Sequence, residues 1–109
     1  MILVRTIFHA KWGKADEVLQ AMKEGVQTLT NSFPHKVRIL SDLSGETYTL
    51  VVEAEHESLA SWEQFRARMW SSSQFREHAS PGEGLIVSGS QEYYTIEAEY
   101  YMPLGEQNE

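Results

Sequence analysis

Cysteine is absent from this chain of 109 residues, and its absence removes several chemistries at once. Without a thiol the protein can form no disulfide, no zinc–thiolate site and no cysteine nucleophile. Positive charge is also scarce, because 9 basic residues stand against 16 acidic ones and give a formal net charge of -7. Nucleic acids and anionic membranes bind basic surfaces, so we expect neither as a partner.

Long apolar runs and metal-binding spacings are lacking as well. No run approaches the roughly 20 apolar residues that a membrane helix needs, and the first residues do not follow the pattern of a secretion signal. We therefore expect a cytoplasmic protein. The four histidines show no HExxH or related spacing, so we expect no metal site and no cofactor.

What the sequence does contain is a strand–helix–strand pattern that occurs twice. Helical spacing of apolar residues predicts helices over 15–29 and 59–69, and two-residue alternation predicts strands over 2–10, 36–41, 48–55 and 91–101. A loop of hairpin length over 42–47 pairs the second and third strands antiparallel. A short extra helix over 72–78 is predicted because Ser71 and Gln74 fit a capping box.

This order of elements predicts an α+β protein with a ferredoxin-like β-α-β-β-α-β sandwich. Its four-stranded antiparallel sheet carries the two helices and the short extra helix on one face. Residues 1–102 are expected to form this single domain, and 103–109 an acidic C-terminal tail.

Alternation also predicts which side chains face the helices. On the first strand Thr6 falls on the helix side. On the last strand Tyr94, together with Ile96, Ala98 and Tyr100, is predicted on that side and Tyr93 on the other. We further expect the last strand to begin early, over 85–87, with a bulge at Gly89.

The sheet face without helices is predicted to be apolar with charges at its margins. It would present Leu3, Ile7, Leu40 and Val51 together with Arg5, Arg38, Glu53, Glu97 and Glu99. Such a surface is typical of a protein interface, so we expect a symmetric homodimer formed through the open sheet face.

Four segments carry a family resemblance: Lys11-Trp12-Gly13-Lys14, 58–65 (SLASWEQF), 72–78 (SSQFREH) and 92–97 (EYYTIE). Together with the order of elements, they resemble the dimeric α+β barrel superfamily, and within it the antibiotic-biosynthesis-monooxygenase-like and NIPSNAP-like small proteins. The resemblance implies a dimeric α+β barrel. Its members include cofactor-free oxygenases, haem-degrading enzymes, isomerases and proteins without known activity, so it implies the fold more strongly than any reaction.

The haem-degrading branch can be compared residue by residue. That branch has an asparagine on the first strand, a tryptophan on the second long helix and a histidine in the short helix. Trp62 and His78 match the last two, but Thr6 stands at the asparagine position. The spacing from Trp62 to His78 is also longer than in that branch, so we expect no haem.

The remaining candidate functional residues are predicted to lie in a cleft between the helices and the sheet. His78 and Tyr94 are candidate catalytic residues that could move a proton, and Thr6, Trp62 and Trp70 are candidate substrate-binding residues. The plainer interpretation makes His78 a half-exposed residue at a helix C-terminus and the tryptophans core residues, and it is favoured for each.

Two other histidines fit structural roles. His9 shares the predicted interface side with Arg5, and His56 is predicted in a solvated acidic turn between two glutamates. Two function classes follow. One is a cofactor-independent monooxygenase or isomerase that acts on a small apolar or aromatic compound, and the other is a non-catalytic ligand-binding or structural dimeric module.

Overall fold

The computed structural model describes residues 1–32, 36–77 and 84–103, with the backbone alone described for 30–32. Residues 73–77 form a further short helical segment. The predicted α+β, ferredoxin-like order is confirmed by six elements: β1 (Ile2–Ala10), α1 (Ala15–Ser32), β2 (Val37–Ser41), β3 (Thr49–His56), α2 (Leu59–Ser71) and β4 (Ile86–Thr95).

The four strands form one antiparallel sheet in the order β2-β3-β1-β4. β1 lies inside the sheet, where Val4 pairs with Ala54 of β3 and with Tyr93 of β4. β2 and β4 are the two edges. Because successive side chains of a strand point to opposite faces, this register fixes the face of every residue.

Helix α1 covers the sheet with the apolar stripe that its sequence predicts. Val18 is 1% exposed and packs in a core cluster with Ala10 of β1 and Leu50 of β3. Asp16 and Glu17 lie in the first turn, where their charges oppose the positive end of the helix dipole. The helix therefore lies on the sheet face that carries Leu50.

Helix α2 begins at a capping box. The Ser58 hydroxyl accepts a hydrogen bond from the backbone N–H of Ser61, and the Ser61 hydroxyl accepts one from the backbone N–H of Ser58. These bonds satisfy two of the N–H groups that a helix start leaves unpaired. Trp62 follows in the first turn and is buried.

The predicted cap of the short helix is wrong by one residue. Ser71 still belongs to α2, and its hydroxyl donates to the Arg68 carbonyl. Ser72 is the cap, since its hydroxyl accepts from the Phe75 backbone N–H at 3.2 Å. Three consecutive serines, Ser71 to Ser73, occur at this point, and the sequence alone does not show which of them is the cap.

The expected early start of the last strand, over 85–87, is confirmed, but its predicted end at residue 101 and the predicted bulge at Gly89 are wrong. β4 runs over Ile86–Thr95, and its irregularity lies near its start and not at Gly89. His9 pairs with Ser88, but Ala10 pairs with Ile86, so Val87 is the extra residue of a β-bulge. Gly89 lies in regular pairing, where a Cβ would make ordinary van der Waals contact with Phe8 Cδ1 at 3.4 Å.

This register reverses the predicted faces of β4. Tyr94 pairs with Leu3, so it lies on the open face, whereas Tyr93 pairs with Val4 and lies on the helix side. The prediction placed Tyr94 on one face with Ile96, Ala98 and Tyr100, but those three residues lie beyond the end of the strand.

β4 ends at Thr95 because its partner ends there. Thr95 pairs with Ile2, and one further bond joins the Ile96 N–H to the Met1 carbonyl at 3.1 Å. β1 itself begins at Ile2. Glu97 and Glu99 therefore lie outside the sheet, contrary to the prediction that they border its open face.

In the described ranges, no helix has both the length and the apolar character that would let it cross a membrane.

Candidate functional site

The helix side of the sheet carries a cluster of three rings, formed by His56, Trp62 and Phe65. The centroid of the His56 ring lies 5.2 Å from that of Trp62 and 5.3 Å from that of Phe65. The Trp62 and Phe65 centroids lie 6.0 Å apart. His56 is 9% exposed, so the prediction of a solvated turn is wrong. As the last residue of β3 it still follows strand alternation, and it points to the same side as Leu50.

Trp62 brings a buried hydrogen-bond donor into this helix-side cluster. Its side chain is 6% exposed, and no residue in the described part of the chain accepts a hydrogen bond from its Nε1–H. An unsatisfied buried donor costs about 1–3 kcal/mol. The indole N–H is therefore a group that an acceptor on a bound molecule would stabilise.

A polar chain of three side chains crosses β1 and β4 on the same face. The Tyr93 hydroxyl donates to Gln91 Oε1 at 2.9 Å, and Gln91 Nε2 donates to Thr6 Oγ1 at 3.1 Å. Tyr93 is 45% exposed, so its ring is accessible. This polar chain combines hydroxyl and amide groups beside an apolar floor that includes Val4.

The site differs from the predicted one in its tyrosine. Thr6 and Trp62 lie on the helix side as predicted, but Tyr94 lies on the opposite face and cannot share a cleft with them. Tyr93 and Gln91 take its place. Alternation from Ile86, which packs against the core, does not give this result, because the extra residue Val87 shifts the faces of all later residues.

The other predicted residues lie further along the chain. Trp70 lies at the end of α2, is 51% exposed, and contacts Phe75 edge to face at a centroid distance of 5.3 Å. Trp70 therefore packs against the short helical segment formed by residues 73–77. His78 lies outside the described residues, and its assignment stays a prediction.

The open face carries a second polar system, which we call the charge row. It is centred on Glu53, which is only 7% exposed. Arg38 pairs with Glu53 Oε1, and Arg5 Nε lies 3.0 Å from Glu53 Oε2 in a charge contact without hydrogen-bond alignment. The row ends at Glu92 on β4, whose Oε1 lies 3.5 Å from Arg5 and accepts a hydrogen bond from the Tyr94 hydroxyl at 3.0 Å.

Apolar side chains border the charge row on the open face. The next row of the sheet pairs Leu40 with Val51 and Val51 with Ile7. Val51 is 8% exposed and Leu40 is 37% exposed. His9 lies beyond them on this face, as predicted, and its Nδ1 is 2.8 Å from Glu46 Oε2. Among the described residues no three His, Asp or Glu side chains are grouped as metal ligands.

Comparisons with known proteins agree on the fold. A NIPSNAP family protein from Agrobacterium tumefaciens matches with a TM-score of 0.80 at 15% identity, over 90% of this chain and 88% of that one. A NIPSNAP domain protein from Burkholderia xenovorans matches with a TM-score of 0.79 at 16% identity, over 94% and 99%. An antibiotic biosynthesis monooxygenase matches with a TM-score of 0.68 at 17% identity, over 88% and 98%.

The predicted resemblance is therefore confirmed at the level of the fold. No protein-family model matches the chain. A search of curated proteins finds no match either.

Proposed function

We propose that this protein is a homodimeric small-molecule-binding protein whose ligand site lies between α2 and the sheet. The observation that carries the proposal is the buried Trp62 Nε1–H without an acceptor in the described residues. Beside it, the Phe65 ring provides a flat apolar surface and the His56 imidazole provides a second, polar ring. Binding sites commonly combine aromatic walls with a few well-placed polar groups.

The ligand that fits these groups is a small, apolar or aromatic compound with one acceptor oxygen. Its ring would lie against the helix-side cluster, and its oxygen would accept from Trp62. The polar chain of Thr6, Gln91 and Tyr93 on the same face supplies hydroxyl groups for a second polar substituent.

Cofactor-independent oxygenation or isomerisation is the activity we propose for this site. It is supported by the likeness of fold to an antibiotic biosynthesis monooxygenase. In this proposal the protein orients the compound and His78 moves a proton, while Trp70 borders the entrance. A binding module without turnover is the alternative, and it predicts affinity without product.

The homodimer is proposed on the strength of the open face. Val51 and its neighbours Ile7 and Leu40 form an apolar row beside a charge row whose members are already paired. Burying both rows removes apolar surface from water without leaving Glu53 unpaired.

The first experiment measures binding of 1,4-naphthoquinone, a planar aromatic carbonyl compound, by thermal shift and then by calorimetric titration. We expect Trp62→Phe to weaken binding about tenfold, since one hydrogen bond in a buried site contributes about 1–1.5 kcal/mol. Trp12→Phe is the matched control, because its indole is exposed and contacts Tyr48, outside the helix-side cluster. Equal losses from both variants, or no loss from Trp62→Phe, would refute the role of the indole N–H.

A further inference from the structure

The charged side chains of the four strands all lie on the open face of the sheet. The Asp, Glu, Lys and Arg residues within β1, β2, β3 and β4 are Arg5, Arg38, Glu53, Glu55 and Glu92, and the register places each of them on that face. On the helix side the same strands carry apolar and uncharged polar residues, and the titratable groups there are His56 and Tyr93. The wall that the sheet gives to the proposed ligand site therefore has no side chain of fixed charge.

The helix faces that pack on this side of the sheet add no charge to it. Val18 of α1 is buried against the sheet, and Met22 packs against the same core cluster. On α2 the Trp62 and Phe65 rings turn towards the sheet, whereas Arg66 is exposed. A buried anion would gain no counter-charge from these inward-facing side chains, and an uncompensated charge is costly to bury.

The polar chain on the same face leaves one hydroxyl hydrogen available to a ligand. Tyr93 uses its hydrogen on Gln91 Oε1, and Gln91 Nε2 donates to Thr6 Oγ1. Within the described ranges nothing accepts the hydrogen of the Thr6 hydroxyl. If the Gln91 amide is turned over, the available hydrogen belongs to Tyr93 instead, so one donor remains in either orientation.

Trp62 supplies a second available donor. Its Nε1–H is buried without an acceptor in the described part of the chain, and an indole nitrogen can donate but cannot accept. The helix side thus combines two hydrogen-bond donors with walls that lack a fixed positive charge.

We infer that the site selects an uncharged carbonyl compound and rejects carboxylates and phosphate esters of the same shape. The inference rests on the proposed function and narrows the class of its ligand. A carbonyl oxygen accepts hydrogen bonds without carrying a charge into the site, whereas an anion must lose its hydration without a cation to replace it. A hydrocarbon of the same shape avoids that cost but leaves the donors unsatisfied.

The test compares three naphthalenes that differ in one atom or group of the same substituent. Methyl 2-naphthyl ketone is uncharged and carries one acceptor oxygen. In 2-naphthoate a carboxylate oxygen replaces the methyl group and adds a negative charge. In 2-isopropenylnaphthalene a methylene replaces the carbonyl oxygen and removes the acceptor. Calorimetric titrations are made at about pH 8, where a histidine with the usual pKa of about 6.5 carries no charge.

We expect the ketone to bind most tightly. The carboxylate should bind about tenfold or more weakly, because its charge is buried without a counter-charge. The isopropenyl compound should bind about fivefold to tenfold more weakly than the ketone, through the loss of its hydrogen bond. Equal or tighter binding of 2-naphthoate would overturn the inference, and so would equal binding of the ketone and the isopropenyl compound.

A cation introduced beside the polar chain should reverse the discrimination against the carboxylate. Gln91→Lys places an ammonium group on the helix side of β4 and should strengthen 2-naphthoate binding about fivefold to tenfold. Gln20→Lys is the matched control, because it changes the net charge equally at an exposed position of α1. It should change the affinity for 2-naphthoate by less than about twofold, as remote surface charges contribute little.

The two lysine variants give further ways to overturn the inference. An equal gain from both would indicate general attraction to added charge, and no gain from either would mean that charge is not what excludes the carboxylate. Tight binding of 2-naphthoate that Arg66→Gln abolishes would assign the site to anions held by α2. Circular dichroism of each variant checks that the fold is kept.

The outcomes separate this inference from the proposed function. If neither the three naphthalenes nor 1,4-naphthoquinone binds, the proposed ligand site itself is refuted. If 1,4-naphthoquinone binds and the ketone does not, or if the carboxylate binds best, the site exists but the assigned ligand class is wrong.

Discussion

Leu3 and Tyr94 are paired directly across β1 and β4, and this pairing holds the Tyr94 ring on the open face. Its neighbour Tyr93 consequently lies on the helix side, where its hydroxyl reaches Gln91. The two adjacent tyrosines thus lie on opposite faces of one sheet.

The first prediction separates the two tyrosines. Tyr93→Phe removes a donor from the polar chain and should weaken 1,4-naphthoquinone binding about threefold to tenfold, in keeping with a hydrogen bond of about 1 kcal/mol. Tyr94→Phe should leave binding unchanged. Calorimetric titration of both variants makes the comparison, and a larger loss from Tyr94→Phe would place the ligand on the open face.

The second prediction concerns the buried carboxylate of the charge row. Glu53→Gln leaves Arg5 and Arg38 without their shared counter-charge and should lower the free energy of unfolding by about 2 kcal/mol. Glu55→Gln is the control, because its ion pair with Lys36 is exposed and 3.7 Å long. It should change the free energy of unfolding by about 0.5 kcal/mol or less.

Urea titrations at one fixed protein concentration measure both changes. The concentration is held constant because the proposed dimerisation would make apparent stability depend on it. Equal midpoints for Glu53→Gln and Glu55→Gln would mean that the row contributes no stability within the fold.

The third prediction distinguishes the two parts of Trp62, its volume and its donor. Trp62→Ala empties a buried site and should lower the free energy of unfolding by about 3–5 kcal/mol. Trp62→Phe keeps most of the ring and removes the donor that has no acceptor among the described residues, so its loss should stay below about 1.5 kcal/mol.

Trp70 serves as the reference for Trp62 because half of its surface is exposed. Trp70→Ala should lower the free energy of unfolding by about 1 kcal/mol, the usual size of a partly buried substitution. A loss for Trp70→Ala as large as that for Trp62→Ala would contradict the assignment of Trp62 to the buried layer.

The fourth prediction tests the turn between β1 and α1. Gly13 has a φ of +74°, a left-handed conformation that costs a residue with a Cβ about 1–2 kcal/mol. Gly13→Ala should lower the free energy of unfolding by that amount, although nothing lies within 4 Å of its Cβ position.

Gly84 is the matched control for Gly13. Its Cβ position is equally open, but its φ lies outside the left-handed range. Gly84→Ala should be neutral or stabilise the protein by up to about 1 kcal/mol through the unfolded chain. Identical effects of the two substitutions in thermal unfolding would count against backbone strain at Gly13.

Local patterns in the sequence were sufficient for most of the fold. β1 carries apolar residues on both faces, and it has the bounds that its strand pattern predicts. Helix α1 has a regular apolar stripe, so its start at Ala15 was also found. The β2–β3 hairpin follows from its short loop, where Asp42 Oδ1 accepts from the Thr49 N–H.

The candidate site was harder to predict because it depends on pairing between distant segments. Val87 shifts the alternation of β4, and no local signal marks it as the extra residue. His56 was misassigned because its two glutamate neighbours suggested a solvated turn. Its burial is set by Trp62 and Phe65, which arrive from the next helix.

The outer edge of β4 has a consequence for the handling of this protein. Among the described strands, none pairs with that edge over its ten residues, and almost all of its side chains are exposed. An unprotected edge of this length is a template on which other chains can add strands and aggregate. We therefore expect this edge to be the place where chains add to one another when the protein aggregates.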